Sequence, residues 1–185
     1  MDSSVGALVL GHGAGGGVES PDLVGATKAA RSAGLSVALM EQPYRVAGRR
    51  SPAPANQLDT AWSEVVSQLR AGPFSGIDFL LTGGRSAGAR VACRTATDTD
   101  SIAVLCLAFP LHPPGRPEKS RLQELDALNV PTLVVQGQRD PFGIPPDSPS
   151  RTVTRIPGTH SLRSSASVAA AVSDWLATLL PLKRH

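Results

Sequence analysis

The sequence predicts a single α/β domain spanning 1–185, a mainly parallel sheet of about six strands with helices on both faces. Three observations predict it. Apolar runs of strand length recur, each bounded by turn residues, at 5–10 (VGALVL), 35–40 (LSVALM), 77–82 (IDFLLT), 102–109 (IAVLCLAF) and 132–136 (TLVVQ). They are continuous rather than alternating, which is the pattern of strands buried on both faces of a parallel sheet. Helical segments lie between them, and strand–helix alternation implies crossovers that keep the strands parallel. Finally, 185 residues suit one well-packed domain better than two.

The elements follow in chain order. After the first strand, Ser20-Pro21-Asp22 sets a cap residue, a first-turn proline and a first-turn acid in sequence. This opens a helix through about residue 32, which Gly34 stops. The second strand precedes Leu58, Trp62, Val65, Val66 and Leu69, which share one face of a second helix. A third helix is expected over 86–96, after the third strand, and a short fourth over 122–128. Arg151–Ile156 (RTVTRI) alternates polar and apolar residues and reads as an edge strand. Val168, Val172, Trp175, Leu176 and Leu179 form the apolar face of a last helix that stops before Pro181. The stretches 46–55 and 141–150 are Pro-rich loops, too short to link domains.

Composition excludes several function classes. The net charge of +3 is slight, and its main cluster, Arg45, Arg49 and Arg50, has only Tyr44 as an aromatic neighbour. Aromatics are 4% of the chain, too few to interleave bases with charge, so no nucleic-acid partner is expected. Cys93 and Cys106 lie in apolar stretches and suit neither a disulfide framework nor a zinc site; both are expected to be buried thiols. The opening Met-Asp-Ser-Ser has no basic residue, and the apolar run after it is too short for a signal core or a membrane span. These features predict a cytoplasmic protein with no membrane partner.

In open parallel sheets, function gathers at the carboxyl ends of the strands. After the third run stands Gly84-Arg85-Ser86-Ala87-Gly88, a Gly-x-Ser-x-Gly sequence between a strand and a helix. A nucleophile on so sharp a turn needs small neighbours, and glycines two residues to either side supply them. A serine hydroxyl needs a base, and the base an orienting acid. Asp140 follows the fifth run, and His160 follows the edge strand. Ser86, Asp140 and His160 thus each lie beyond the end of a successive strand, and are assigned as a catalytic triad.

Acyl chemistry also needs donors for the developing oxyanion. Ala87, next to the nucleophile, is expected to give one N–H, and Ala14 or Gly13 in the loop after the first strand the other. His12 is assigned to fixing that loop. The same loop reads as Gly-x-Gly-x-x-Gly, with Glu41 at the end of the next strand, which is also a dinucleotide fingerprint. Against a dinucleotide site, the acid lies 25 residues past Gly16, and Gly17 and Val18 delay the helix. That alternative also leaves Ser86, Asp140 and His160 unexplained.

With these residues in hand, the chain resembles small α/β hydrolases related to dienelactone hydrolase. It is most similar to a branch that includes a testis-expressed hydrolase-like protein and a subunit of a chromatin acetyltransferase complex. The resemblance rests on 11–16 (GHGAGG), 83–90 (GGRSAGAR) and 109–113 (FPLHP), with weaker support from 137–140 (GQRD) and 158–160 (GTH). It implies the α/β-hydrolase fold without a cap domain, a triad on the positions named, and no metal or organic cofactor. Two departures stand out. The chain starts directly at the strand before the oxyanion loop, and the link from Asp140 to Arg151 is too short for the usual crossover helix.

Glu41, Gln42, Tyr44, Arg85, His112 and Phe142 lie at the same sheet edge and are candidates for contacting substrate. Glu41 and Arg85 are expected to pair with a charged substrate or with each other. The expected activity is hydrolysis of a carboxylic ester or thioester of a small-molecule acyl substrate through an acyl-enzyme. A binding or scaffold protein on the same fold is the alternative from another class.

Overall fold

The computed structural model describes residues 6–180. The elements are β1 (Gly6–Gly11), α1 (Pro21–Ser32), β2 (Ser36–Met40), α2 (Pro43–Val46), α3 (Ala55–Ala71), β3 (Phe79–Arg85) and α4 (Ala87–Thr95). Then follow β4 (Ala103–Leu107), a 3-10 turn (Pro117–Lys119), α5 (Leu122–Asp126), β5 (Thr132–Gly137), β6 (Arg151–Ile156) and α6 (Ser165–Leu179). Val5, expected to open the first strand, and Pro181, expected to end the last helix, lie outside the described residues.

The six strands form one sheet in the order β2-β1-β3-β4-β5-β6, and every pairing is parallel. The register explains the continuous apolar runs. Leu8, Leu10, Leu81, Leu105 and Leu133 face one side and pack with Leu23, Val172 and Leu176 of α1 and α6. Val9, Leu80, Val104 and Val134 face the other side, against Trp62, Val91 and Leu125 of α3, α4 and α5. Both faces being dry, the central strands are largely apolar, with Thr82, Thr132 and Gln136 the buried polar residues among them. The edge strand β6 is buried at its ends and partly exposed between them, so its burial does not follow the alternation expected of it. No cap domain intervenes between strands and helices. Among the described residues, no helix is long and apolar enough to cross a membrane.

Two elements differ from expectation. β3 continues through Gly83, Gly84 and Arg85, beyond the end of its apolar run. A Cβ on Gly83 would collide with the Leu105 carbonyl, so the glycines let β3 lie close to β4, at the cost of the apolar signal that marks a strand. A short helix, α2, opens at Pro43, where proline's fixed φ suits a first helical position. The link from β5 to β6 carries no helix, as its length requires. Cys93 and Cys106 are buried free thiols, their Sγ atoms 3.5 Å apart.

Candidate active site

The register brings the carboxyl ends of β1, β3 and β4 level, with Gly11 opposite Gly84 and Arg85 opposite Leu107. Ser86 follows at once, with φ 51° and ψ −110°, and α4 begins at Ala87. Such a backbone is rare for a residue with a Cβ and carries strain of about 1–3 kcal/mol. The surroundings impose it. The Ser86 N–H donates to the Leu107 carbonyl at 2.9 Å, and a Cβ on Gly84 or Gly88 would press on the Gly11 carbonyl. The two glycines of the motif thus let the turn sit against the end of β1.

The base arrives from the far edge of the sheet. His160 follows β6 and places Nε2 2.9 Å from Ser86 Oγ and Nδ1 2.9 Å from Asp140 Oδ2. The Asp140 side chain is fully buried, and a carboxylate only accepts, so Nδ1 carries the proton and Nε2 accepts from the serine hydroxyl. Asp140 itself is held in place, with Oδ1 accepting from the Phe142 N–H and Oδ2 from the Gln136 amide, both at 2.8 Å. The Phe142 ring covers His160 at a centroid distance of 4.2 Å. The structure therefore brings Ser86, Asp140 and His160 into one hydrogen-bonded chain.

The loop after β1 is tied from behind. Gln42 N–H donates to His12 Nε2 at 2.9 Å, so the other ring nitrogen carries the proton and donates to the Gly13 carbonyl at 2.7 Å. The Gly16 N–H shares that carbonyl. A trans peptide sets its N–H opposite its carbonyl, so these bonds turn the Ala14 N–H away from the His12 ring. The Tyr44 hydroxyl donates to the Ala14 carbonyl at 3.4 Å, and burial pushes that hydroxyl's pKa up, with Arg45 opposing. Gly13 lies directly against Ser86, whose Cβ is 3.3 Å from where a Gly13 Cβ would stand. Ala87 opens α4, so its N–H is among the donors that lack an intrahelical acceptor. α1 starts only at Pro21, so its N-terminus does not meet the glycines as a dinucleotide site requires.

The substrate candidates divide. Arg85 does not pair with Glu41. Its Nε lies 2.8 Å from Asp22 Oδ2, an ion pair whose angle falls short of a hydrogen bond, and its Nη2 donates to the His160 carbonyl at 3.3 Å. Arg85 Nη1 also lies against Gly13. This one guanidinium thus touches the oxyanion loop, the histidine loop and α1. Gln42 is buried, its amide nitrogen beside Gly11, and its side-chain amide has no partner among the described residues. Tyr44 is buried as a prop of the oxyanion loop. His112 is partly buried, with Nδ1 2.9 Å from the Pro113 carbonyl and its ring beside Gly143. Phe142 stays at the site through His160, and Glu41 is exposed at its rim.

Two residues of the site were not marked as such by the sequence reading. Asp22 was read only as a first-turn acid, yet it lies on the buried face of α1 with Ala26 and Ala29. A carboxylate in an apolar stripe demands a partner, and that signal was present. Gln136 was read as the end of a strand. Its amide nitrogen is within 3.0 Å of the Phe109 and Gly143 carbonyls and of Asp140, and its two hydrogens serve two of these at a time.

A family model described as an alpha/beta hydrolase domain matches residues 4–162. Comparison with curated proteins gives no match. Among solved structures, the chain is similar to XC6422 of Xanthomonas campestris, described as an a/b serine hydrolase without lid, at 21% identity and TM-score 0.76, covering 96% of this chain and 84% of that one. An alpha-beta serine hydrolase homologue from Coxiella burnetii aligns at 16% identity and TM-score 0.75, covering 95% and 86%. Est1E from Butyrivibrio proteoclasticus, with ferulic acid bound, aligns at 16% identity and TM-score 0.72, covering 95% and 90%. At these identities the structures speak for the fold, and the match over most of the chain speaks for descent: the chain belongs to the alpha/beta hydrolase domain family.

Proposed function

We propose that the protein is a serine hydrolase that cleaves a carboxylic ester or thioester through an acyl-enzyme intermediate. The observation that carries this reading is the chain Ser86–His160–Asp140, with 2.9 Å at each link and the acid fully buried. Ser86 Oγ attacks the acyl carbon while its proton passes to His160 Nε2. Asp140 stabilises the imidazolium through Nδ1. The proton then goes to the leaving alcohol or thiol as its bond to the acyl carbon breaks. Water, deprotonated by the same Nε2, releases the acid and restores Ser86.

Ala87 N–H and the N–H of Ala14 or Gly13 hold the oxyanion, each donor being worth about 3 kcal/mol in the transition state. The ferulic acid held by Est1E supports an acyl substrate with a free acid as product. The motifs at 83–90 and 109–113 support placing the chain near the testis-expressed and chromatin-complex branch, and the two buried thiols support a reducing, cytoplasmic setting.

The test is hydrolysis of short 4-nitrophenyl esters and of matched thioesters, with intact-mass detection of the acyl adduct. Turnover that disappears in Ser86→Ala, with the adduct mapped to Ser86, is expected. Folded protein that neither turns over any of these nor acquires an adduct would instead make this a binding protein on a hydrolase fold.

A further inference from the structure

Beside the oxyanion loop lies a cleft of about 560 Å³ lined by Tyr44, Arg49, Arg50, Ser51, Pro54 and Gln57, among others. Its location ties it to the reacting centre. Tyr44 forms one wall and also reaches the Ala14 carbonyl, two residues from His12 and next to Gly13, which touches Ser86. The Arg49 N–H donates to the Tyr44 carbonyl at 2.8 Å, so the arginine loop is anchored to the same residue. Tyr44 thus links the cleft to the loop that lies against Ser86.

Its charge is one-sided. From Gln42 through Leu58 the chain has three arginines, Arg45, Arg49 and Arg50, and no acid. Among the described residues none of the three forms an ion pair, and Glu41, the nearest acid in sequence, pairs with none of them. Other exposed arginines, among them Arg139 and Arg163, also form no ion pair among the described residues; Arg49 and Arg50 differ in standing side by side in an acid-free stretch that lines a cleft. α3, which opens at this cleft, has no acid in its first turn, and its cap residue Pro54 makes no side-chain bond. Two arginines that line one cleft favour a carboxylate or phosphate over a neutral group.

We propose that this cleft is a subsite for an anionic group of the substrate, a carboxylate or phosphate remote from the scissile acyl carbon, bound by Arg49 and Arg50. It rests on the hydrolase reading and narrows its substrate class to acidic esters or thioesters. The anion is carried on the acyl chain or on the leaving group, and these two sources are distinguishable by substrate.

The experiment compares wild type with Arg49→Ser/Arg50→Ser on two matched pairs. One is 4-nitrophenyl hydrogen glutarate against 4-nitrophenyl pentanoate. The other is pentanoyl-coenzyme A against its neutral N-acetylcysteamine thioester. The double variant is expected to lower kcat/KM about tenfold for the anionic member of one pair, with the neutral members unchanged. The pair that responds identifies which side of the substrate carries the charge. Arg49→Lys/Arg50→Lys should recover part of the loss. Equal effects on anionic and neutral members, or no effect, would overturn the subsite.

Titration of 15N-labelled protein with glutarate and with adenosine 3′,5′-bisphosphate reads the subsite without catalysis. Saturable shifts at Tyr44, Arg49 or Arg50 that vanish in the double variant support it, even where every ester is inert. Wild type that binds neither anion, yet hydrolyses neutral esters, would overturn the subsite and leave the hydrolase reading standing.

Discussion

At Ser86, the proposed nucleophile and backbone strain coincide in one residue. Its φ of 51° and ψ of −110° belong to a region that glycine reaches easily and serine does not. Ser86→Gly should therefore be more stable than Ser86→Ala by about 1 kcal/mol, because alanine keeps the Cβ and its strain. Urea unfolding of the two inactive variants measures this, and equal midpoints would deny the strain. In the proposed mechanism Asp140 acts through the proton it fixes on His160 Nδ1. Asp140→Asn offers that position an amide in place of a buried anion. It is expected to reduce kcat by about 10³–10⁴-fold with little change in KM, as loss of the orienting acid does in other triads. A change confined to KM would mean that Asp140 serves binding instead.

Elements matter here because one side chain joins several of them. Arg85 ends β3 and meets Asp22 of α1, the His160 carbonyl after β6 and Gly13 after β1. Asp22 Oδ1 in turn accepts from the Ser20 hydroxyl and the Leu23 N–H, which secures the start of α1. Removing either partner leaves a buried charge without its counterion, at a cost of about 3 kcal/mol. Asp22→Asn and Arg85→Gln should each lower stability and also slow acylation at unchanged KM. Their double variant should lose less than the sum, since they remove one interaction. Additive losses, or a normal acylation rate in both, would show that the pair serves α1 alone.

The strands were legible because burial on both faces leaves the central runs largely apolar, with buried polar residues confined to positions such as Thr82, Thr132 and Gln136. Arg151–Ile156 was legible as an edge because of its polar residues, which its partly exposed middle accommodates, although its burial does not alternate. The carboxyl end of β3 was hidden, because Gly83 and Gly84 carry no apolar signal and are there for close approach to β4 and β1. The Arg85–Asp22 pair was hidden because its partners lie 63 positions apart in sequence (85 − 22) and only the packing of α1 on the sheet unites them.

At the scale of the molecule, the sheet is a frame that levels its strand ends, and Ser86, Asp140 and His160 lie in the turns and loops at that edge. The hydrogen-bonded chain Ser86–His160–Asp140 was readable in sequence because each member follows a strand, whereas the residues behind it, Gln136 and Asp22, lie inside regular elements. The frame also shelters chemistry the site does not use. The hydrogen bond between Cys93 and Cys106, helped by burial, raises the Cys93 pKa well above the ordinary thiol value. A raised pKa means less thiolate at a given pH, so Cys93 should resist iodoacetamide at pH 8.5, where a free exposed thiol reacts readily. Alkylation should appear only with unfolding. Rapid labelling of the native protein would show that the space between α4 and β4 opens.

The central claim is that Ser86 is an activated nucleophile, and labelling with a fluorophosphonate probe tests it most directly. The account predicts fast labelling of wild type at Ser86, none in Ser86→Ala, and a large drop in His160→Ala with the fold intact by circular dichroism. Folded wild type that resists the probe, or labelling that survives Ser86→Ala, would contradict it.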